Sequence, residues 1–474
     1  MTARKPRTLL LSCTYYHLER APVEYLPPVH LLYIGTFLRE RGYPVQLFDI
    51  LSEFGVQHDQ ADIDAFLPAL RRGLEALEGD YQVVGISCYT SLQYLPSLDL
   101  ARLIRQVFPK ALIVVGGYHP TAVAGDFLFP GSPFDCVVQG EGETAMLAIL
   151  EQAELGDKPP PIFSTAPVLD INQLPPLDYS FIEDWGRYSY YYDYLSRGCP
   201  FSCRFCMEAS MPERRWRGLS PENALERIDR AQAVLGKTLL EPSGLFMLND
   251  PLFGGKRSWL KEVLGRMAQK PRPYGFFASP RVDVLDTECL RLFAKAGFSI
   301  DLPVEHGSAE QLLRMQKTRD PQRFLAQGKA LAAEAHALGL PFHTHWVMGH
   351  PGETPDTLRE CLAYMESMHQ GNDQGMTEIF YFKLYPGSWL SGNWVQVERE
   401  WGAREEVAEY WKLNFGLDHM PYHIQPSSRL SRLELMEWVE ARMKPAGEAI
   451  NRHAIAQHDQ CCGRLRKENA PWIL

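Results

Sequence analysis

The chain has 474 residues, 45% hydrophobic and 22% charged, with a formal net charge of −10 at pH 7. This composition supports packed cores, excludes a disordered chain, and argues against a basic nucleic-acid clamp. No apolar run reaches the ~20 residues of a membrane helix, and Thr8 to Ser12 is too short an apolar stretch for a signal peptide, so a cytoplasmic protein of about three domains, at roughly 150 residues each, is expected.

Residues 1–154 read as alternating strands and helices. Thr8 to Ser12 predicts a strand. Leu31, Ile34, Gly35 and Leu38 lie at helical spacing, with Gly42 as the stop. Val45 to Ile50 and Val83 to Ser87 predict strands, then a helix near 97–108. Leu112 to Val115 runs into Gly116-Gly117, and Cys136 to Val138 into Gly140-Glu141-Gly142. Strands separated by helices imply a parallel, doubly wound, Rossmann-like sheet. Ligands of such sheets sit beyond the carboxyl ends of the strands. Those ends carry Ser12, Asp49, Ser87, Gly116, Gly117 and Gly140.

Residues 155–189 are rich in proline and read as a linker. From 190 to 390 the alternation returns, with strands at 194–196, 245–248, 275–278, 300–304, 343–348 and 378–384. Six β/α units predict a partial barrel, since eight are needed to close one. Residues 391–474 predict helices at 403–413 and 430–449, a possible cap over the substrate. Ala231 to Thr238 imitates a phosphate loop but lacks its first glycine and follows a helix. The aromatic run Tyr188 to Tyr194 and the C-terminal tryptophans read as core, or as the wall of a substrate pocket.

Ten cysteines in a reduced compartment are not a disulfide framework. Cys13, Cys88, Cys136, Cys289, Cys361, Cys461 and Cys462 are scattered, whereas Cys199, Cys203 and Cys206 are bunched. Soft thiolates select iron–sulfur clusters or zinc. A structural zinc site needs a fourth Cys or His nearby, and none is adjacent, so three ligands would leave one metal position open.

Cys-x-x-x-Cys-x-aromatic-Cys, with Phe205 as the aromatic, resembles the signature of radical S-adenosylmethionine (SAM) enzymes. The resemblance implies a [4Fe–4S] cluster on Cys199, Cys203 and Cys206. Its fourth iron would chelate SAM and cleave it to a 5′-deoxyadenosyl radical. Further stretches resemble the family in order: 246–253 with Asn249 and Asp250, 278–281 with Ser279 and Arg281, 304–308 with Glu305 and with His306 in place of a Ser, 346–354 with Gly349, and 384–388. By this resemblance Phe205, Asp250, Ser279, Arg281, Glu305 and Gly349 are the expected SAM contacts.

Residues 32–49, 116–121 and 140–143 resemble the cobalamin-binding domain often fused ahead of this barrel. The resemblance implies cobalamin contacts at Ser12, Tyr15, Tyr16, Asp49, Ser87, Thr90, Gly116, Gly117, Tyr118, Gly140 and Glu141. The Asp-x-His-x-x-Gly string that supplies a cobalt-ligating His elsewhere is absent. Tyr15, Tyr16 and His17 are therefore expected near the lower cobalt face, and His119 as a packing residue of its turn. The implied enzyme is a cobalamin-dependent radical SAM methyltransferase acting on an unactivated carbon of a small molecule, fed by an electron donor such as flavodoxin or ferredoxin. Two other readings stand beside it: a cyclase or rearrangement enzyme using the same cofactors, and an iron–sulfur protein without turnover. No catalytic side chain, and no role for Cys461 or Cys462, is assigned.

Overall fold

The structure, a computed structural model, describes residues 5–17, 24–371, 375–413 and 423–461, of which 453–461 by backbone alone. The expected pair Cys461-Cys462 lies outside the described side chains. Among the described residues, no helix is long and apolar enough to cross a membrane. The chain divides into two compact units. The first runs to Tyr188 and includes Ser210–Glu213 and the segment from Glu409; the second holds the rest.

In the first unit, β1 (Thr8–Leu11) and β3 (Val83–Ser87) are apolar but for Thr8 and Ser87 and are buried throughout. Central strands of a parallel sheet, covered on both faces, require this. With β2 (Val45–Phe48), β4 (Leu112–Gly116), β5 (Cys136–Val138) and β6 (Ile162–Phe163) they form an all-parallel sheet in the order β2-β1-β3-β4-β5-β6. The order reverses between β1 and β3, which sets a ligand crevice beyond the carboxyl ends there. Helices α1 (Val29–Glu40), α2 (Gln60–Glu75), α3 (Tyr94–Val107) and α4 (Gly142–Leu155) cross between strands. Helix α2 was not expected; Asp59 caps it by accepting from the Asp62 N–H, and Ile63, Phe66, Leu70 and Leu74 seat it on the core.

The prolines of 155–189 do not make a free linker. Ile162–Phe163 pairs with β5 as an edge strand, the one place in a sheet where missing donors are tolerated. Three short turns follow. Asp170, Asp178 and Asp184 each cap the N–H two residues on. Asp178 pairs with Arg39 at 2.6 Å, and a Cβ on Gly35 would stand 2.9 Å from the Phe181 ring. The segment is thus fastened to α1.

In the second unit, β7 (Tyr191–Asp193), β8 (Leu245–Leu248), β9 (Gly275–Ala278), β10 (Phe298–Asp301), β11 (Phe342–Met348) and β12 (Gly375–Tyr381) are parallel and adjacent in sequence order. This is the expected six-stranded open barrel. Helices α5 (Pro221–Leu235), α6 (Arg257–Met267), α7 (Thr287–Lys295), α8 (Pro321–Ala337) and α9 (Pro355–His369) lie between them, capped in turn by Ser220, no side chain, Asp286, Asp320 and Thr354. Phe276 and Phe298 stack at 5.0 Å beneath Phe293 of α7, so one face of the sheet packs on the helices.

The helix expected at 403–413 does not form. The helix runs earlier, Trp394–Trp401, and Gly402 at φ +65 ends it. Arg404–Glu405 then pairs with Ile424–Gln425. The expected 430–449 helix starts at Arg432 behind a capping box of Ser431 and Glu434, and continues to Cys461.

Candidate functional site

The cysteine loop leaves β7 through Ser196–Arg197, which pairs antiparallel with Arg217–Gly218 and closes the loop at its neck. Gly198 sits there at φ +78, and a Cβ would strike the Arg215 carbonyl, so the neck admits only glycine. Cys203 is buried, and Cys199 and Cys206 are half-buried. Burial pushes the Cys206 thiol up to about 12 and raises Cys199, with Cys203 adding to both. Among the described residues, no three His, Cys, Asp or Glu side chains stand at metal-binding geometry around one point. The three thiols share one loop and one electrostatic neighbourhood, and a metal would bind them by displacing their protons.

The loop carries its own counter-charge. Arg281 Nη1 donates to Cys203 Sγ at 3.4 Å. Asp283 holds the guanidinium through Nε at 2.9 Å and Nη2 at 2.8 Å, the Lys317 carbonyl accepts from Nη2 at 2.6 Å, and the Phe201 ring lies 3.7 Å below. A fixed cation beside a thiolate favours its charged form. Three soft donors on one loop, no fourth beside them and a built-in cation fit an iron–sulfur cluster. Arg281, expected at SAM, faces the cysteine loop. The contact links residues 78 apart, which no local spacing reveals.

The other expected SAM residues ring the carboxyl ends of the barrel strands. Ser279 stands half-buried just after β9. Asp250 accepts from the Ser196 N–H and hydroxyl, tying the β8 end to the entry of the cysteine loop; burial lifts it to about 7, and Oδ2 has no protein partner. Glu305 holds φ +63, a conformation rare for a side-chain-bearing residue. Its backbone bridges Trp346, and Lys317, unnoticed in the sequence, grips its carboxylate at 2.6–2.7 Å. Phe205, like Trp389, Trp394 and Trp401, packs against the core of Phe382, Leu384 and Leu390, and it meets His350 edge-on at 6.4 Å.

Gly349 at φ +82 has no room for a side chain: a Cβ would sit 2.6 Å from Leu435. Its N–H donates to Glu353 at 2.6 Å. Glu353 is fully buried and also receives His306 Nε2 at 2.6 Å and the Thr357 hydroxyl. The Ser308 N–H donates into His306 Nδ1 at 3.0 Å, so the ring proton sits on Nε2, aimed at the carboxylate. Glu353 therefore joins the β10 and β11 loops. Sequence reasoning named it only within a motif.

The carboxyl edge of the first unit gathers most of the expected cobalamin residues. Ser12 donates to Asp49 Oδ1 and accepts the Ile50 N–H at 2.9 Å, while the Tyr188 hydroxyl donates to Oδ2 at 2.8 Å. Ser87 pairs with His30 Nε2 at 2.8 Å, and burial lowers that imidazole to about 4. His30, at the start of α1, was missed because one His in an apolar helix gives no signal. Its ring stacks on Tyr89 at 5.4 Å, and Tyr89 meets Tyr118 edge-on at 5.1 Å. The Thr90 hydroxyl is buried without a protein partner, a vacancy in hydrogen bonding that a bound polar group would fill. Gly116, Gly140, Glu141 and Tyr15 are half-buried on this edge.

Tyr16 does not belong to this set. Its ring is in the core and its hydroxyl donates to Asp99 at 3.0 Å, because its backbone pairs with Gln57 and turns the side chain inward. His119 is fully buried between Tyr94, Phe127 and Trp411, with Nδ1 2.9 Å from the Ser91 hydroxyl. Gly117 turns the chain at φ +126, and a Cβ there would collide with the Cys88 carbonyl. Gly117→Ala is expected to cost about 2 kcal/mol or more, read as a lowered Tm. Gly125→Ala, where nothing lies within 4 Å, should change little. Equal melting of the two variants would contradict the tight turn.

The B12 binding domain family matches residues 21–150, and the Radical SAM superfamily matches residues 194–365. An uncharacterised methyltransferase of Pyrococcus horikoshii is 24% identical over 387 residues, covering 77% of each chain. An anaerobic magnesium-protoporphyrin IX monomethyl ester cyclase of Rubrivivax gelatinosus is 23% identical over 417 residues, covering 82% of this chain and 69% of the cyclase. The solved structure of the cobalamin-dependent SAM radical enzyme OxsB, with aqua-cobalamin and SAM bound, superposes with a TM-score of 0.69 at 15% identity, over 98% of this chain and 74% of that one. That likeness is one of fold.

Proposed function

We propose that this chain, a radical SAM protein with a B12-binding domain, is a cobalamin-dependent enzyme that methylates an unactivated carbon of a small molecule. When bound, the cluster supplies the electron that cleaves SAM to a carbon radical, and the corrinoid supplies a transferable methyl group. The chain's own residues hold and orient these groups. Cys199, Cys203 and Cys206 are the cluster ligands, with Arg281 holding charge against Cys203. Ser279, Glu305 and the Gly349 turn are the surfaces offered to SAM. Ser87, Thr90, Gly116, Gly117, Tyr118, Gly140 and Glu141 form the corrinoid cradle. An external one-electron donor such as flavodoxin or ferredoxin completes the system.

The observation that carries methyl transfer is the burial of His119. It is the histidine of the glycine turn, and its aromatic box withdraws it from any ligand. A corrinoid held at this turn would receive no imidazole from His119 and would supply the transferable methyl group. Protein reconstituted anaerobically with iron, sulfide and hydroxocobalamin, then desalted, should retain the corrinoid beside the ~400 nm cluster band. The electron paramagnetic resonance of its cobalt(II) form should lack splitting from a protein imidazole. Loss of the corrinoid on desalting, or such splitting, would contradict the reading. Cyclisation with the same two cofactors is the second reading, favoured by the similarity to the Rubrivivax gelatinosus cyclase.

A further inference from the structure

Strand alternation sorts the barrel residues onto two faces. Phe276, Phe298, Phe342 and Trp346 are buried on the helix side. The opposite face carries Phe277, Ser299, Asp301, His343, His345, Glu378 and Phe380 in register. An interior of this kind is usually filled with branched apolar side chains. Here it is charged. His345 Nδ1 lies 3.1 Å from Asp301 Oδ2, and its Nε2 lies 3.1 Å from Glu378 Oε2. Burial alone would lower His345, but the two carboxylates raise it to about 10, so the imidazolium persists at neutral pH.

Asp301 is only 3% exposed, and its Oδ1 is buried without a hydrogen-bond partner. A buried carboxylate oxygen without a donor is unfavourable, and proteins seldom leave one so. Asp301 and Glu378 share the His345 imidazolium, and His343, in register with Asp301, also acts electrostatically on Glu378. Phe380, 47% exposed, stands edge-on to His345 at 5.4 Å, and Phe277 edge-on to His343 at 5.2 Å. The site thus offers one unmet acceptor and aromatic walls.

We propose that this face is the substrate-anchoring site and that Asp301 Oδ1 receives a protonated primary amine on a substrate with an apolar body. Glu378 and His345 position that carboxylate. The proposal rests on the radical SAM reading of the barrel, and its test separates the two.

Benzylamine, benzyl alcohol and benzoate serve as probes against the reconstituted holoenzyme with SAM, by calorimetry. Benzylamine should bind about tenfold or more tightly than either other probe. Asp301→Asn and Glu378→Gln should each weaken benzylamine about tenfold while the cluster band persists. Benzoate binding as tightly as benzylamine would overturn the proposal, as would wild-type benzylamine affinity in both variants. Glu378 is partly exposed, so its variant keeps the test open if Asp301→Asn misfolds. Benzylamine binding without any 5′-deoxyadenosine formation would support the amine site and remove the radical reading beneath it.

Discussion

Cys203→Ala is expected to abolish the ~400 nm absorbance, most of the bound iron and all cleavage of SAM. Cys203 is the buried member of the three loop thiols and the one that receives Arg281. Removing it leaves two half-buried thiols, too few to hold a cubane that needs thiolates at three irons. Arg281 would stay fixed by Asp283 and the Lys317 carbonyl, so the change should cost the cluster more than the fold. Cys289→Ala is the control: that thiol is buried beside Asp286 at the start of α7 and should leave colour and iron intact. Iron and colour surviving in Cys203→Ala would show the ligand assignment to be wrong.

Glu353→Ala is expected to be among the most destabilising single changes in the barrel. The carboxylate is fully buried and takes hydrogen from His306, the Gly349 N–H and the Thr357 hydroxyl. Its loss strands buried donors, at about 3–5 kcal/mol, equivalent to a fall in Tm of roughly 10 °C for a unit of this size. It would also release the Gly349 turn, so SAM affinity should fall with stability. Glu353→Gln keeps the shape and one carbonyl acceptor, and should recover part of both. Wild-type melting in the alanine variant would refute the anchoring role.

What the sequence made legible was local. Three cysteines within eight residues narrowed the chemistry to a soft-metal site, their resemblance to the radical SAM signature implied the cluster, and the apolar strands at 8–12, 83–87 and 112–115 declared a sheet buried on both faces. Contacts between distant segments were not legible. Arg281 was expected at SAM from the resemblance of 278–281 to the family, and its reach back to Cys203 was not foreseen. Tyr16 was expected at a ligand because it follows β1, yet a single backbone bridge to Gln57 rotates it into the core. The prolines at 159–161 hid β6, since edge strands tolerate what central strands forbid. The charged interior of the barrel was invisible because Asp301, His345 and Glu378 come from three strands and meet only through register.

Methyl transfer would consume two molecules of SAM, one giving its methyl group to the corrinoid and leaving as S-adenosylhomocysteine, the other cleaved to the adenosyl radical. The direct measurement is product analysis of the anaerobically reconstituted holoenzyme, given SAM, a one-electron donor and the small-molecule fraction of its host cells. The account predicts 5′-deoxyadenosine and S-adenosylhomocysteine in equal amounts, with a methylated product. Deoxyadenosine without S-adenosylhomocysteine would contradict methyl transfer and select the cyclase reading.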